Sequence, residues 1–199
     1  MDGITGFCDF HDILSDEEYF WSSLVRRMRK SFSAGPASVC VTKHLALSTF
    51  GPKSGILEGP NTICFCGNPE TDRLLPKNQT SKALLKKSHD RFGTYMGDTL
   101  FGSFACVLED QLRDMVLLCS GKGGSLSIYY LIVNDRLVFA THKTCLFEYP
   151  GIMEIPGNST SCKIFNAQTG SHGKLTEIQR LLPGQSAIYS QNGFRLLHR

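Results

Sequence analysis

Short apolar stretches recur along this chain in adjacent pairs with turn residues between them. That pattern constrains the fold more than any other feature. Residues 126–133 and 136–141 flank Asn134-Asp135, a fit pair for a tight turn. Residues 101–109 and 115–120 flank the polar Asp110-Gln111-Leu112-Arg113-Asp114. Residues 185–189 and 194–198 flank Gln191-Asn192-Gly193. Further strands are predicted over 3–10, 38–49 and 61–67, where apolar or small residues alternate. Two helices interrupt this series. The first is predicted over 16–30, with Ser15 as cap and Glu18 at capping-box spacing. Tyr19, Phe20, Leu24 and Met28 give it an apolar face, and Arg26, Arg27, Arg29 and Lys30 make a solvated end that complements the dipole. The second covers 81–92: Leu84, Leu85 and Ser88 share a face, and Gly93 supplies the stop. Residues 157–174 are rich in Ser, Thr, Asn and Gly and read as a long loop. Hairpins with helices between strand groups predict an α+β fold with antiparallel sheets. The 19 glycines and 13 phenylalanines suit it better than a helical bundle.

Composition excludes several classes. The 199 residues, 41% hydrophobic, suffice for one good core. Twenty-one basic and 18 acidic side chains nearly balance, which argues against an electrostatic nucleic-acid binder. No apolar run approaches the roughly 20 residues that span a bilayer. The start of the chain lacks the basic-then-apolar order of a secretory signal. The expectation is a single cytoplasmic domain over 1–199, with no membrane and no nucleic-acid partner. The eight cysteines are not spaced as a framework, and several lie inside apolar runs, where a free thiol behaves as a small hydrophobe. Cys64 and Cys66 are read as pointing to opposite strand faces. No second Cys or Cys/His pair stands at zinc spacing, so no metal is expected. The sequons at Asn78 and Asn158 mean little without a secretory context.

The one phosphate-loop lookalike, Ser120-Gly121-Lys122-Gly123-Gly124-Ser125, lacks the Walker spacing and is followed by a β-rich segment rather than a helix. It is read as a hairpin turn. His11, His44, His89, His142, His172 and His198 are scattered, none in a recognisable arrangement with a serine or cysteine. Asp16, Glu17 and Glu18 are a helix start rather than a paired-carboxylate site.

A set of short strings, weak singly, carries a resemblance in its order. Met1-Asp2-Gly3-Ile4-Thr5-Gly6-Phe7 is similar to Met-Cys-Gly-Ile-x-Gly, the start of class II glutamine amidotransferases. Ser33-Ala34-Gly35-Pro36-Ala37 keeps the Gly-Pro of their His-Arg-Gly-Pro-Asp. Leu100-Phe101-Gly102-Ser103-Phe104-Ala105-Cys106 is similar to Leu-x-Gly-Met-Phe-Ala-Phe. The stretch from Cys119 to Tyr130 matches in length Ala-Arg-Asp-Arg-x-Gly-x-Lys-Pro-Leu-Tyr-Tyr. Leu137-Val138-Phe139-Ala140-Thr141-His142-Lys143 and Leu182-Pro183-Gly184 resemble two later strings. The order extends to about residue 190. The chain thus resembles the glutaminase domain of these N-terminal-nucleophile hydrolases, most closely that of asparagine synthetases.

The resemblance implies a four-layer αββα sandwich with two mainly antiparallel sheets. It also implies a nucleophilic cysteine, exposed when Met1 is removed, whose own α-amine is the base. This chain has Asp2 there. A carboxylate is a poor nucleophile toward an amide. The family's oxyanion-hole Asn-Gly corresponds to Cys66-Gly67, and losing the Asn donor costs about 3–4 kcal/mol in comparable sites. The arginine that holds the glutamine carboxylate matches Ala46, and the aspartate that holds its amino group matches Ser81. A glutamine zwitterion would meet a pocket without its two compensating charges.

The expectation is a catalytically impaired domain without cofactor that scaffolds or regulates. Its partner would be a synthetase-like domain or protein, or a peptide substrate; a homodimer is open. The alternatives are an active amidohydrolase using Cys66 or Cys8, and a small-molecule sensor using the vestigial pocket. The length leaves no room for the synthetase domain fused to this one in the family.

Overall fold

The computed structural model describes residues 2–30, 37–71, 80–150, 152–154, 163–166 and 174–197. Two six-stranded sheets carry the fold, and every strand pair among the described residues is antiparallel. The first sheet is built from β1 (Gly3–Cys8), β2 (Ala37–Val41), β3 (Leu45–Phe50), β8 (Tyr129–Val133), β9 (Arg136–Ala140) and β13 (Gln179–Arg180), in the order β13-β8-β9-β1-β3-β2. The second is built from β4 (Ser54–Leu57), β5 (Asn61–Thr71), β6 (Leu100–Asp110), β7 (Met115–Ser120), β14 (Ser186–Ser190) and β15 (Gly193–Leu197), in the order β15-β14-β7-β6-β5-β4. Strands β10 (Ile152–Glu154), β11 (Lys163–Asn166) and β12 (Lys174–Glu177) form a separate three-stranded sheet.

Side-chain alternation explains the layering. On β6, Ala105 and Val107 face the other sheet, whereas Phe104, Cys106 and Leu108 face outward. On β7, Val116 and Leu118 point inward and Met115, Leu117 and Cys119 outward. The inner faces meet Ile4, Cys8, Leu45, Leu47 and Phe139 of the first sheet. The outer face of the second sheet is covered by α2 (Ser81–Phe92) through Leu84 and Leu85. The outer face of the first is covered by α1 (Glu18–Met28) through Trp21, Leu24, Val25 and Met28, which pack on Phe7, Ala46 and Val138. The result is the expected αββα sandwich. Apolar runs such as Val116-Leu117-Leu118-Cys119 are unbroken because those strands are buried on both faces. Short helices α3 (Met96–Thr99) and α4 (Lys143–Leu146) complete the elements. No described helix is long and apolar enough to cross a membrane.

Several sequence readings hold closely. Helix α2 has the predicted bounds; Thr80 Oγ1 caps it at Ala83 N–H, and Gly93 ends it at φ +56°. Asn134 and Asp135 adopt φ +48° and +58°, as a tight β8–β9 hairpin requires.

Others need correction. Ser15 does not cap α1: it lies in a 3₁₀ turn, Leu14–Glu17, held in place by the fully buried Leu14. The buried face of α1 is Trp21–Leu24–Val25–Met28, whereas Tyr19 is 90% exposed and Phe20 56%. Residues 38–49 are two strands, β2 and β3, because Thr42 turns the chain by bonding Leu45. Within 157–174 a strand, β11, replaces part of the predicted loop. Residues 120–125 are no hairpin turn: β7 and β8 lie in different sheets, so this segment crosses between them. Cys64 and Cys66 share a face, since residues two apart on a strand do, and both lie between the sheets. Cys162, Asn78, Asn158 and the Gly35-Pro36 string lie outside the described residues.

Candidate functional site

The site follows from the position of Asp2. It precedes β1, which lies at the centre of its sheet between β9 and β3. Gly3 permits the close packing there, since a Cβ would run into the Phe50 ring and Thr141 Oγ1. Ile4 N–H donates to Thr141 Oγ1 at 3.0 Å, tying the strand start to the end of β9. Asp2 is held twice. Its Oδ1 accepts from Lys53 N–H at 2.7 Å. Its carbonyl lies 3.1 Å from His142 Nε2. A carbonyl only accepts, so Nε2 carries the hydrogen. The His142 ring in turn packs 5.8 Å from Phe50.

Gly67 stands at φ +89°, where a Cβ would also strike the Ser103 carbonyl and Leu126. Its N–H donates to Lys53 O at 2.8 Å. The Lys53 backbone therefore occupies both the Asp2 carboxylate and the Gly67 amide. Cys66, between Ser54 and Ala105, is fully buried. Burial pushes its thiol up to about 12; the nearby Asp2 charge adds to this and a backbone hydrogen bond at Ala105 opposes it.

The remaining family positions do not converge on Asp2. Ala46 sits opposite Phe7 in the α1-facing core, four register steps along β3 from Phe50, or about 13 Å. Ser81 is the half-buried first residue of α2. Cys8 is buried at the far end of β1, and its thiol is raised well above its ordinary value, chiefly by burial. Among the described residues no group of three His, Cys, Asp or Glu side chains is placed to hold a metal ion. Gly121 and Gly123 spend their N–H groups on Phe104 O and Gly102 O, so the glycine-rich loop offers no phosphate cradle from them.

Two participants escaped sequence reading. Lys53 and strand β4 follow Gly51-Pro52, a stretch that reads as a turn. His142 sits in a string whose family counterpart carries a glutamate. Its backbone neighbour Thr141 and its own ring line a cavity of about 390 Å³, with Ser125, Ser127, Lys143 and Arg180. Arg180 is fixed there, donating to Ser127 Oγ at 2.9 Å and lying over the Tyr129 ring.

No protein-family profile and no curated protein matches the chain. Solved structures do. One is described as the allosteric regulatory enzyme of purine biosynthesis: 10% identity, TM-score 0.56, covering 98% of this chain and 48% of that one. Another is the glutamine phosphoribosylpyrophosphate amidotransferase from B. subtilis, complexed with ADP and GMP: 12% identity, TM-score 0.54, covering 98% and 49%. The chain thus spans about half the length of each. With a central β1 led by residue 2, two facing antiparallel sheets and helices on both outer faces, it has the fold of the glutamine amidotransferase domain of N-terminal-nucleophile hydrolases.

Proposed function

We propose that this is a catalytically silent glutaminase-like domain that scaffolds or regulates a synthetase-like partner. The observation that supports the reading is the tie of the Asp2 carboxylate to Lys53 N–H. A carboxylate stands where the fold's chemistry needs a thiol, and it is engaged in a hydrogen bond. The neighbouring Gly67 amide, which an oxyanion would need, is spent on Lys53 O. Cys66 does not replace the nucleophile, because a buried thiol raised to about 12 supplies almost no thiolate near neutral pH. Incubation with glutamine tests this. No glutamate is expected, from the wild type or from Asp2→Cys. Turnover by the wild type that disappears in Cys66→Ser would overturn it. The partner role is tested by adding the chain to an asparagine-synthetase-type synthetase domain; unchanged ammonia-dependent activity together with no binding would remove it.

The cavity lined by His142 favours a second reading, small-molecule sensing, since Arg180 and Lys143 line it among serine and threonine hydroxyls. Thermal shifts against an amino-acid panel test it, and a flat response removes it.

A further inference from the structure

The cavity of about 390 Å³ that His142 lines is set apart by its charge. Lys143 and Arg180 line it, and none of the described lining residues is Asp or Glu. Among the described residues no carboxylate oxygen lies within 4 Å of either cation. A cavity of about 410 Å³ elsewhere on the chain is the contrast. Arg136 lines it, but there the guanidinium is shared by Asp9 and Asp12.

The Arg180 guanidinium is placed before any ligand arrives. Arg180 belongs to the edge strand β13, in register with Tyr129 of β8. The next residue continues the tie, since Leu181 N–H donates to Ile128 O at 2.9 Å. The side chain is anchored as well. Nη2 donates to Ser127 Oγ at 2.9 Å, and the guanidinium carbon lies 5.8 Å from the centre of the Tyr129 ring. Ser127 and Tyr129 both line the cavity, so these contacts put the guanidinium at its wall. Ser127 is buried, whereas Arg180 is exposed and open to a ligand. Fixing the fork in advance lowers the ordering cost of binding.

Neighbouring polar groups are committed elsewhere. Thr141 Oγ1 is engaged with both backbone groups of Ile4, and His142 Nε2 donates to the Asp2 carbonyl. Ser125 Oγ pairs with Ser103 Oγ. Arg180 and the half-buried Lys143 are therefore the groups that would meet a ligand. Two positive charges without a counter-charge ask for an anion that carries about two. A carboxylate brings one. A phosphomonoester brings nearly two near neutral pH, on oxygens that an Arg fork and a Lys ammonium can share. The volume lies at the small end of ligand sites, with room for an organic group on the phosphate.

We propose that this cavity binds a small phosphomonoester, its phosphate held by Arg180 and Lys143. The proposal rests on the premise of the sensing reading that this cavity takes a ligand, but not on that ligand being an amino acid.

The test is calorimetric titration of the full chain at about pH 7.5 with glycerol 3-phosphate, beside glycerol, acetate and inorganic phosphate. Saturable binding of glycerol 3-phosphate is expected, about tenfold or more tighter than that of acetate, with none of glycerol. Arg180→Gln and Lys143→Gln should each weaken it about tenfold or more, as the loss of a charge-assisted hydrogen bond implies. Lys87→Gln, at an exposed position of α2 on the other sheet, should leave it unchanged. Four results would overturn the proposal: no saturable binding of the ester, equal binding of acetate, tighter binding of inorganic phosphate than of the ester, or equal losses in Lys87→Gln and Arg180→Gln. Binding of glycine in place of the ester would overturn it too, while leaving the sensing reading in place. The wild-type titrations decide even where a variant folds poorly.

Discussion

Lys53 N–H donates to Asp2 Oδ1 at 2.7 Å, and the Lys53 carbonyl accepts from Gly67 N–H at 2.8 Å. One residue just before β4 thereby ties the edge of the second sheet to the residue that precedes β1. Removing the carboxylate should be felt as stability. Asp2→Ala should cost about 1 kcal/mol by urea denaturation, below the usual range for a charged acceptor because Asp2 is half-exposed. Asp2→Asn, which keeps an acceptor, should cost less. Equal losses in the two variants would mean that the bond contributes little.

Gly67 and Gly93 separate close approach from backbone conformation. Both have positive φ, but a Cβ at Gly67 meets the Ser103 carbonyl and Leu126, whereas one at Gly93 has nothing within 4 Å. Gly93→Ala should therefore cost about 1 kcal/mol, the conformational penalty alone. Gly67→Ala should cost upwards of about 2 kcal/mol, since backbone must also move. Denaturant midpoints of the two variants check this, and similar costs would sink the close-approach argument.

The cysteines should behave as core. Cys8, Cys40, Cys64, Cys66, Cys106, Cys119 and Cys145 are all buried and free. Burial is the first cause of each raised thiol; Cys40 reaches about 11, and Cys66, Cys119 and Cys145 about 12. At about 12, only about 10⁻⁵ of a thiol is ionised at pH 7. Alkylation followed by peptide mass spectrometry should leave these seven unmodified in native buffer and modify them together in denaturant. Fast native labelling of Cys66 would revive it as a nucleophile.

Much of this architecture was legible because local chemistry and tertiary placement agree. Asn134-Asp135 tolerates positive φ, and Gly93 ends α2, so those boundaries follow from the residues themselves. Where tertiary contact decides, the sequence pattern misleads. Tyr19 and Phe20 look like core but face outward, because Leu14 anchors the preceding turn and the helix presents Trp21 instead. Val116 to Cys119 is apolar at every position, so alternation cannot assign its two faces. At the site, the Lys53 backbone joins the Asp2 carboxylate to the Gly67 amide, and the Asp2 charge acts on Cys66. Lys53 acts through its backbone, which no side-chain pattern announces.

Two buried groups, His89 on α2 and Glu109 on β6, should give opposing pH slopes. Burial lowers His89 from its ordinary value near 6.5, against the raising influence of Asp110 and Asp90. The folded state then binds fewer protons than the unfolded one, so stability is full above about 6.5 and is lost as pH falls below it. Burial raises Glu109 from its ordinary value near 4.5, against the lowering influence of Thr42, Gln111 and His44. Lys43, Asp110, Gln111 and Asp114 line a cavity of about 180 Å³ with it, and Cys8 lies close enough to feel its charge. Here the folded state binds more protons, so this contribution is full below about 4.5 and is lost as pH rises through the higher folded value. Glu109→Gln should remove that second loss and raise stability at neutral pH. His89→Gln should flatten the acid limb alone. Denaturation across pH 4 to 8 reads both slopes, and a Glu109→Gln curve parallel to the wild type would show that this carboxyl titrates normally in the folded chain.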